Sequence, residues 1–194
     1  MFKMVFKMTV LLFTFIALTT TANAGDFKYV GVKKCKTCHK TEKIGNQFGI
    51  WSEAAHANAL KSLSSEKSLE YAKKNGIADP TKDPKCLNCH ATMATVDAAL
   101  IEPAPKGKLT MEEGVSCESC HGAGNKYKSA KVMSKKKYAA DKAGQHKLAL
   151  AAGLVMPEEK VCLTCHNDKN PFHKPFDYKK MVAKVSHPVP AKTK

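Results

Sequence analysis

The chain contains no arginine and one tryptophan, and all its phenylalanine, tyrosine and tryptophan together make up 7% of it. Its 32 basic side chains are therefore all lysine, set against 17 acids for a formal net charge of +15. A basic surface fits nucleic acid, a membrane or an acidic protein partner. Arginine is the side chain suited to bidentate readout of phosphate and guanine, so its absence argues against nucleic acid. No stretch past the first two dozen residues is apolar enough to cross a bilayer. Long alternating runs of strand character are missing too, and so is the apolar content of an ordinary core. Cysteine occurs only inside four short motifs, which does not suit a disulfide framework.

The amino-terminal stretch stands apart. Lys3 and Lys7 precede an apolar run from about Val10 to Leu18, and small residues follow, ending in Ala22-Asn23-Ala24. This is the charged, apolar and small-residue order of a secretory signal peptide. The expected division is a signal over 1–24, a working domain over 25–187 and a flexible tail over 188–194. Gly25 and Asp26 follow the expected cut, so no cysteine waits there for a lipid. Cleavage removes two lysines and no acid, leaving thirty lysines against seventeen acids, a charge of +13. The expected location is the periplasm or the extracellular space, with no membrane span after cleavage.

All eight cysteines lie in Cys35-Lys-Thr-Cys38-His39, Cys86-Leu-Asn-Cys89-His90, Cys117-Glu-Ser-Cys120-His121 and Cys162-Leu-Thr-Cys165-His166. Each CxxC is followed by histidine. Zinc sites would not require that histidine, and a thioredoxin-like pair would be single and set in a βαβ unit. CxxCH is the attachment signature of c-type haem. On one helical turn, residues i, i+3 and i+4 share a face. Two thiols there can form thioethers with the haem vinyl groups while the histidine binds the iron. The expected cofactors are four covalently bound c-type haems, held by Cys35, Cys38, Cys86, Cys89, Cys117, Cys120, Cys162 and Cys165, with His39, His90, His121 and His166 on the iron.

Four histidines remain for the far side of the iron: His56, His146, His173 and His187. The count matches bis-histidine ligation of four haems, with Met93, Met111, Met133, Met156 and Met181 as weaker candidates. His56 follows "WSEAA", read as a short helix capped by Ser52. His187 ends "FDYKKMVAKVSH", where Asp177 can cap a helix with Tyr178, Met181, Val182 and Val185 as its apolar stripe. His146 and His173 have less telling surroundings.

The motifs begin at 35, 86, 117 and 162, too unevenly for a simple repeat. "SSEKSLEYAKKNG" predicts a helix stopped by Asn75-Gly76. Residues 95–110 leave room for one short strand pair, Thr110 and Glu113 form a capping-box pattern, and 129–152 reads as helical and rich in lysine. The lysines at 135–137 read as a solvated face. The overall expectation is a mainly α fold of short helices and loops with little β, in which macrocycles supply most of the interior and the haem-free chain does not fold.

"YVGVKKCKTCHK", "WSEAAHANAL", "CLNCHA", "GVSCESCHGAG", "CLTCHN" and "FDYKKMVAKVSH" together make the chain resemble the tetrahaem cytochrome c-554 family. That resemblance implies closely stacked haem pairs. It also implies that His56 serves the third haem with His121, and that His187 serves the fourth with His166. One departure stands out. Tyr127 occupies the region after the third motif where relatives carry a histidine for the first haem, which leaves His146 for that role or leaves the first haem without an internal distal ligand. The second haem is five-coordinate in one type of relative, and His173 is the candidate to cap it here. Some tetrahaem relatives of this general kind form extracellular filaments. The function expected is an exported one-electron carrier with acidic redox partner proteins and no catalytic residues. The alternatives are a subunit of a conductive filament or homo-oligomer, and a reductase of a small nitrogen oxide at one five-coordinate haem.

Overall fold

The structure, a computed structural model, describes residues 27–187. The expected signal and tail both lie outside the described residues. Ten short α-helices carry the chain: α1 Val32–His39, α2 Gln47–Glu53, α3 Ala59–Ser62, α4 Glu66–Lys74, α5 Pro84–His90, α6 Cys117–His121, α7 Lys135–Ala140, α8 Lys142–Ala151, α9 Glu159–Cys162 and α10 Tyr178–Val185. Short 3-10 turns and loops join them. Extended pairing among the described residues is a single parallel bridge between Tyr29 and Ile101. The mainly α fold with little β is therefore what forms. The short strand pair expected within 95–110 does not. Ala98–Leu100 turns as a 3-10 helix instead, and Ile101 meets Tyr29 from the start of the domain.

Local chemistry sets most boundaries. Ser65 accepts the Ser68 N–H at the start of α4, and Asn75 closes that helix before Gly76 at φ +67°. Asp83 caps α5 with Pro84 at its first position, and Asp177 accepts the Lys180 N–H to open α10. Two expectations fail for identifiable reasons. Asn46, not Ser52, caps α2, accepting the Gly49 N–H, so Ser52 lies inside the helix. The helix ends at Glu53, where Ala54 turns extended, and His56 sits in the turn before α3 instead of on a helix. Thr110 makes no side-chain cap: its hydroxyl bonds Glu112 instead, and Glu113 is turned inward to accept the Val32 N–H at 3.1 Å.

The polypeptide interior is small. Among the described residues the buried apolar positions are Val30, Val32, Leu63, Ala72, Ala91, Leu109, Ala123, Tyr127, Val132 and Ala149, four of them alanines. The largest side chains with under 2% exposure are Glu118, Val30 and Ser116, two of which are polar. Glu118 ties the start of the domain to the third motif, accepting N–H bonds from Val30 at 2.9 Å, Gly31 at 2.8 Å and Gly124 at 2.7 Å. Gly31 is obligatory there: at φ +79° a Cβ would collide with the Lys108 carbonyl.

Candidate functional site

Each CxxCH begins on or runs along a short helix. The first three motifs lie within α1, α5 and α6, while the fourth starts at the end of α9 and continues through a turn. A helical turn puts the two thiols and the imidazole on one side, and its shortness lets the chain leave directly after the histidine.

Three motif histidines and His187 share a second feature. His90 Nδ1 lies 2.7 Å from the Ala59 carbonyl and His121 Nδ1 lies 3.3 Å from that of Val155. His39 Nδ1 lies 3.1 Å from Gln47 Oε1, and His187 Nδ1 lies 2.8 Å from the Val185 carbonyl. A carbonyl oxygen only accepts, so each of these rings carries its proton on Nδ1 and leaves the Nε2 lone pair for a metal. Burial holds His56, His121 and His166 below the ordinary imidazole pKa, which keeps them in the neutral form that ligates.

Rings meet across the chain in two places. His56 and His166 have ring centroids 6.1 Å apart with planes at 68°, and His121 and His187 stand 6.0 Å apart at 76°. A first-row metal bonded to one imidazole on each side at about 2 Å, with the half-width of both rings added, fills that span. The residues therefore fit an iron between each pair. The pairing reverses the one the resemblance implies. His56 faces His166 of the fourth motif, and His187 faces His121 of the third. The His56 carbonyl accepts the Val115 N–H at 3.0 Å, which pins the His56 turn beside the third motif. The Phe176 ring stacks on that of His166, with centroids 4.8 Å apart and planes at 21°.

His146 is half-buried on α8, and His173 is exposed in the loop after the fourth motif. Among the described residues no ring contact joins either to a motif histidine. After burial, the nearby His173 lowers the His166 pKa further.

The thiols give the spatial order of the motifs. Cys35 and Cys117 are in hydrogen-bond contact, a contact that together with burial raises the Cys35 pKa. Burial, then Cys162, pushes Cys120 up to about 11. Burial, then Cys165, pushes Cys89 up to about 11, and Cys165 Sγ lies 3.9 Å from the Asn88 carbonyl. Thus the first motif meets the third, the third meets the fourth, and the fourth meets the second. The third and fourth, which own the facing histidine pairs, are in the middle.

Several contributors have no readable signal in sequence. Carbonyls at Ala59, Val155 and Val185 belong to the backbone, and any residue supplies one. Glu118 and Ser119 occupy the variable positions of a CxxC. Ser119 meets Thr92 at 2.6 Å, and Thr92 in turn accepts the Ser116 N–H at 2.7 Å. Gln47, eight residues past His39, had only its amide to recommend it.

A model of the family described as cytochrome c554 and c-prime matches residues 34–122, which include the first three motifs. A cytochrome c-554 from Nitrosomonas europaea is 32% identical over 149 residues, 74% of this chain. The chain spans 59% of that relative's length. No solved structure matches it.

Proposed function

The chain belongs to the cytochrome c554 family, and from that premise we infer that it is an exported tetrahaem electron carrier, working in the periplasm or outside the cell. Haem belongs to that family's chemistry and electron transport is its role; the count of four, the export and the ligand set are the further steps. Each haem iron, when bound, supplies reversible one-electron exchange. The chain's own part is to anchor, orient and space four such groups.

The observation that carries this reading is the continuous series of motifs in the order first, third, fourth, second, with two facing imidazole pairs at its centre. His121 with His187, and His166 with His56, would close both axial positions of the two central irons. Filled axial positions leave no site for a substrate, which suits a relay and not a catalyst. The outer irons, on His39 and His90, would take His146 and His173 or remain open. An outer iron left without such a ligand would be open to a small molecule. A small-ligand reaction, the alternative reading, belongs there if anywhere. Gln47 and the Ala59 carbonyl orient His39 and His90 and hold the Nδ1 protons.

Electron paramagnetic resonance on the oxidised, secreted protein, with haem counted by mass, tests this. Four haems with at least two low-spin bis-histidine signals are expected. A protein of bare polypeptide mass without Soret absorption would end the reading. Steady turnover of nitrite, nitric oxide or hydroxylamine would replace it with the enzyme.

A further inference from the structure

Charge is distributed unequally over the four motifs. From four residues before the first cysteine to four after the histidine, the first motif has Lys33, Lys34, Lys36, Lys40 and Lys43 against Glu42 alone. The second has two lysines and one acid, the third two glutamates and no lysine, and the fourth two lysines and three acids. The single acid of the first set is turned to its own loop, where Glu42 Oε1 accepts a bond from Asn46 Nδ2 at 2.7 Å.

Folding adds to that asymmetry. α7 packs beside the loop that follows His39, and Lys135 Nζ donates to the Lys43 carbonyl at 3.0 Å. Three consecutive lysines, Lys135, Lys136 and Lys137, thereby join Lys36, Lys40 and Lys43 at one end of the motif series. All six are exposed. Among the described residues none of the six is in an ion pair. The nearest acid on the other side of α7, Asp141, accepts the Gly144 N–H as the cap of α8.

We propose that this end, built from the first motif and α7, is the docking face for a carboxylate-rich electron-transfer protein and makes the first haem the port of exchange. The sequence at 135–137 reads as a solvated face, and the Lys135–Lys43 contact is what joins it to a haem motif. This inference rests on the carrier reading above. The step is a bare electron transfer: the partner loses one electron, the first haem gains it, and no bond forms or breaks. Uncompensated lysines next to the attachment site attract an acidic partner in an orientation that brings its cofactor to that haem. The second motif, at the far end of the series, has only Lys82 and Lys85 against Asp83 in the same window.

The test uses the tetrahaem holoprotein with flavodoxin as an acidic one-electron probe. Calorimetry with oxidised flavodoxin reads binding, and stopped flow with its hydroquinone reads transfer. Lys135→Glu/Lys136→Glu/Lys137→Glu and Lys40→Glu/Lys43→Glu are each expected to weaken binding and slow transfer roughly tenfold at low ionic strength, the difference fading in high salt. Lys61→Glu/Lys67→Glu/Lys73→Glu, of equal or greater charge change on α3 and α4, should change both less than about twofold. Equal losses in all three variants, or none in the first two, overturn the proposal. Loss of binding to phosphatidylglycerol vesicles with flavodoxin binding intact would make the face a lipid surface and overturn it too. A neutral flavin radical should reduce all forms alike. Its failure on the native protein would sink the carrier reading, while calorimetry would still decide the docking face.

Discussion

Between Cys117 and Cys120 a haem motif tolerates any pair of residues, yet here the first of them is the most buried charged side chain described. Glu118 accepts three backbone N–H bonds from two separate segments. Burial raises its pKa and those bonds lower it, in that order of size. Glu118→Ala strands three buried donors and should cost about 3 kcal/mol or more, read as a lower denaturant midpoint of the holoprotein; Glu118→Gln, which keeps an acceptor, should cost less. Glu113 behaves differently. Burial brings its carboxyl up to about 7, with the Val32 N–H as a smaller opposing effect. A carboxyl raised in the folded state favours folding fully below its ordinary value of 4.5, and that contribution disappears as pH rises through about 7. The thermal midpoint should therefore fall across that window, and Glu113→Gln should flatten the fall. An unchanged slope would show that Glu113 is ionised throughout.

At the scale of elements, short helices deliver ligands because each ends where a ligand is needed. α10 has an apolar stripe and a cap at Asp177, and it finishes at Val185, whose carbonyl takes the Nδ1 proton of His187. Asp177→Ala should destabilise that helix by about 1 kcal/mol, seen as a high-spin fraction that grows on warming. The crossing of ligands between elements is testable by the same spectroscopy. His187→Ala should open the iron of the third motif, and His56→Ala that of the fourth. In a chain whose fourth motif cannot attach haem, through Cys162→Ala and Cys165→Ala, His56→Ala should add no high-spin signal, and His187→Ala still should. The opposite result would restore the pairing of His56 with His121. The element boundaries were mostly legible, since Ser65, Asp83, Asp177 and Gly76 are local signals. His56 was misplaced onto a helix because Asn46, at φ +42°, caps the preceding helix earlier than Ser52 would.

For the whole molecule the decisive quantity is how little the polypeptide buries. Among the described residues four of the ten buried apolar ones are alanine, and Ile50, Leu69, Leu148, Leu150, Met156 and Phe172 are exposed. Conformational entropy of order 1–2 kcal/mol per residue needs more apolar burial than that to offset it. A chain with all eight cysteines changed to serine should accordingly give the circular dichroism of an unfolded protein. A cooperative helical melt from that variant would mean the peptide core suffices. The same scale governs association: a formal net charge of +15 predicts general salt dependence, and the concentration of unpaired lysine at the first motif gives that dependence a direction.

The four CxxCH motifs, most of the helix caps and the shortage of core were determined by the sequence alone, because each follows from chemistry confined to a few neighbouring residues. A thiol pair, a histidine and one helical turn are enough to specify an anchor. Which imidazole crosses to which motif, and the order in which the motifs line up, depend on bonds between segments far apart in the chain, such as His56 to Val115 and Glu118 to Val30. Each of those bonds uses at least one backbone group of the kind every residue carries, so only the folded arrangement selects the partner.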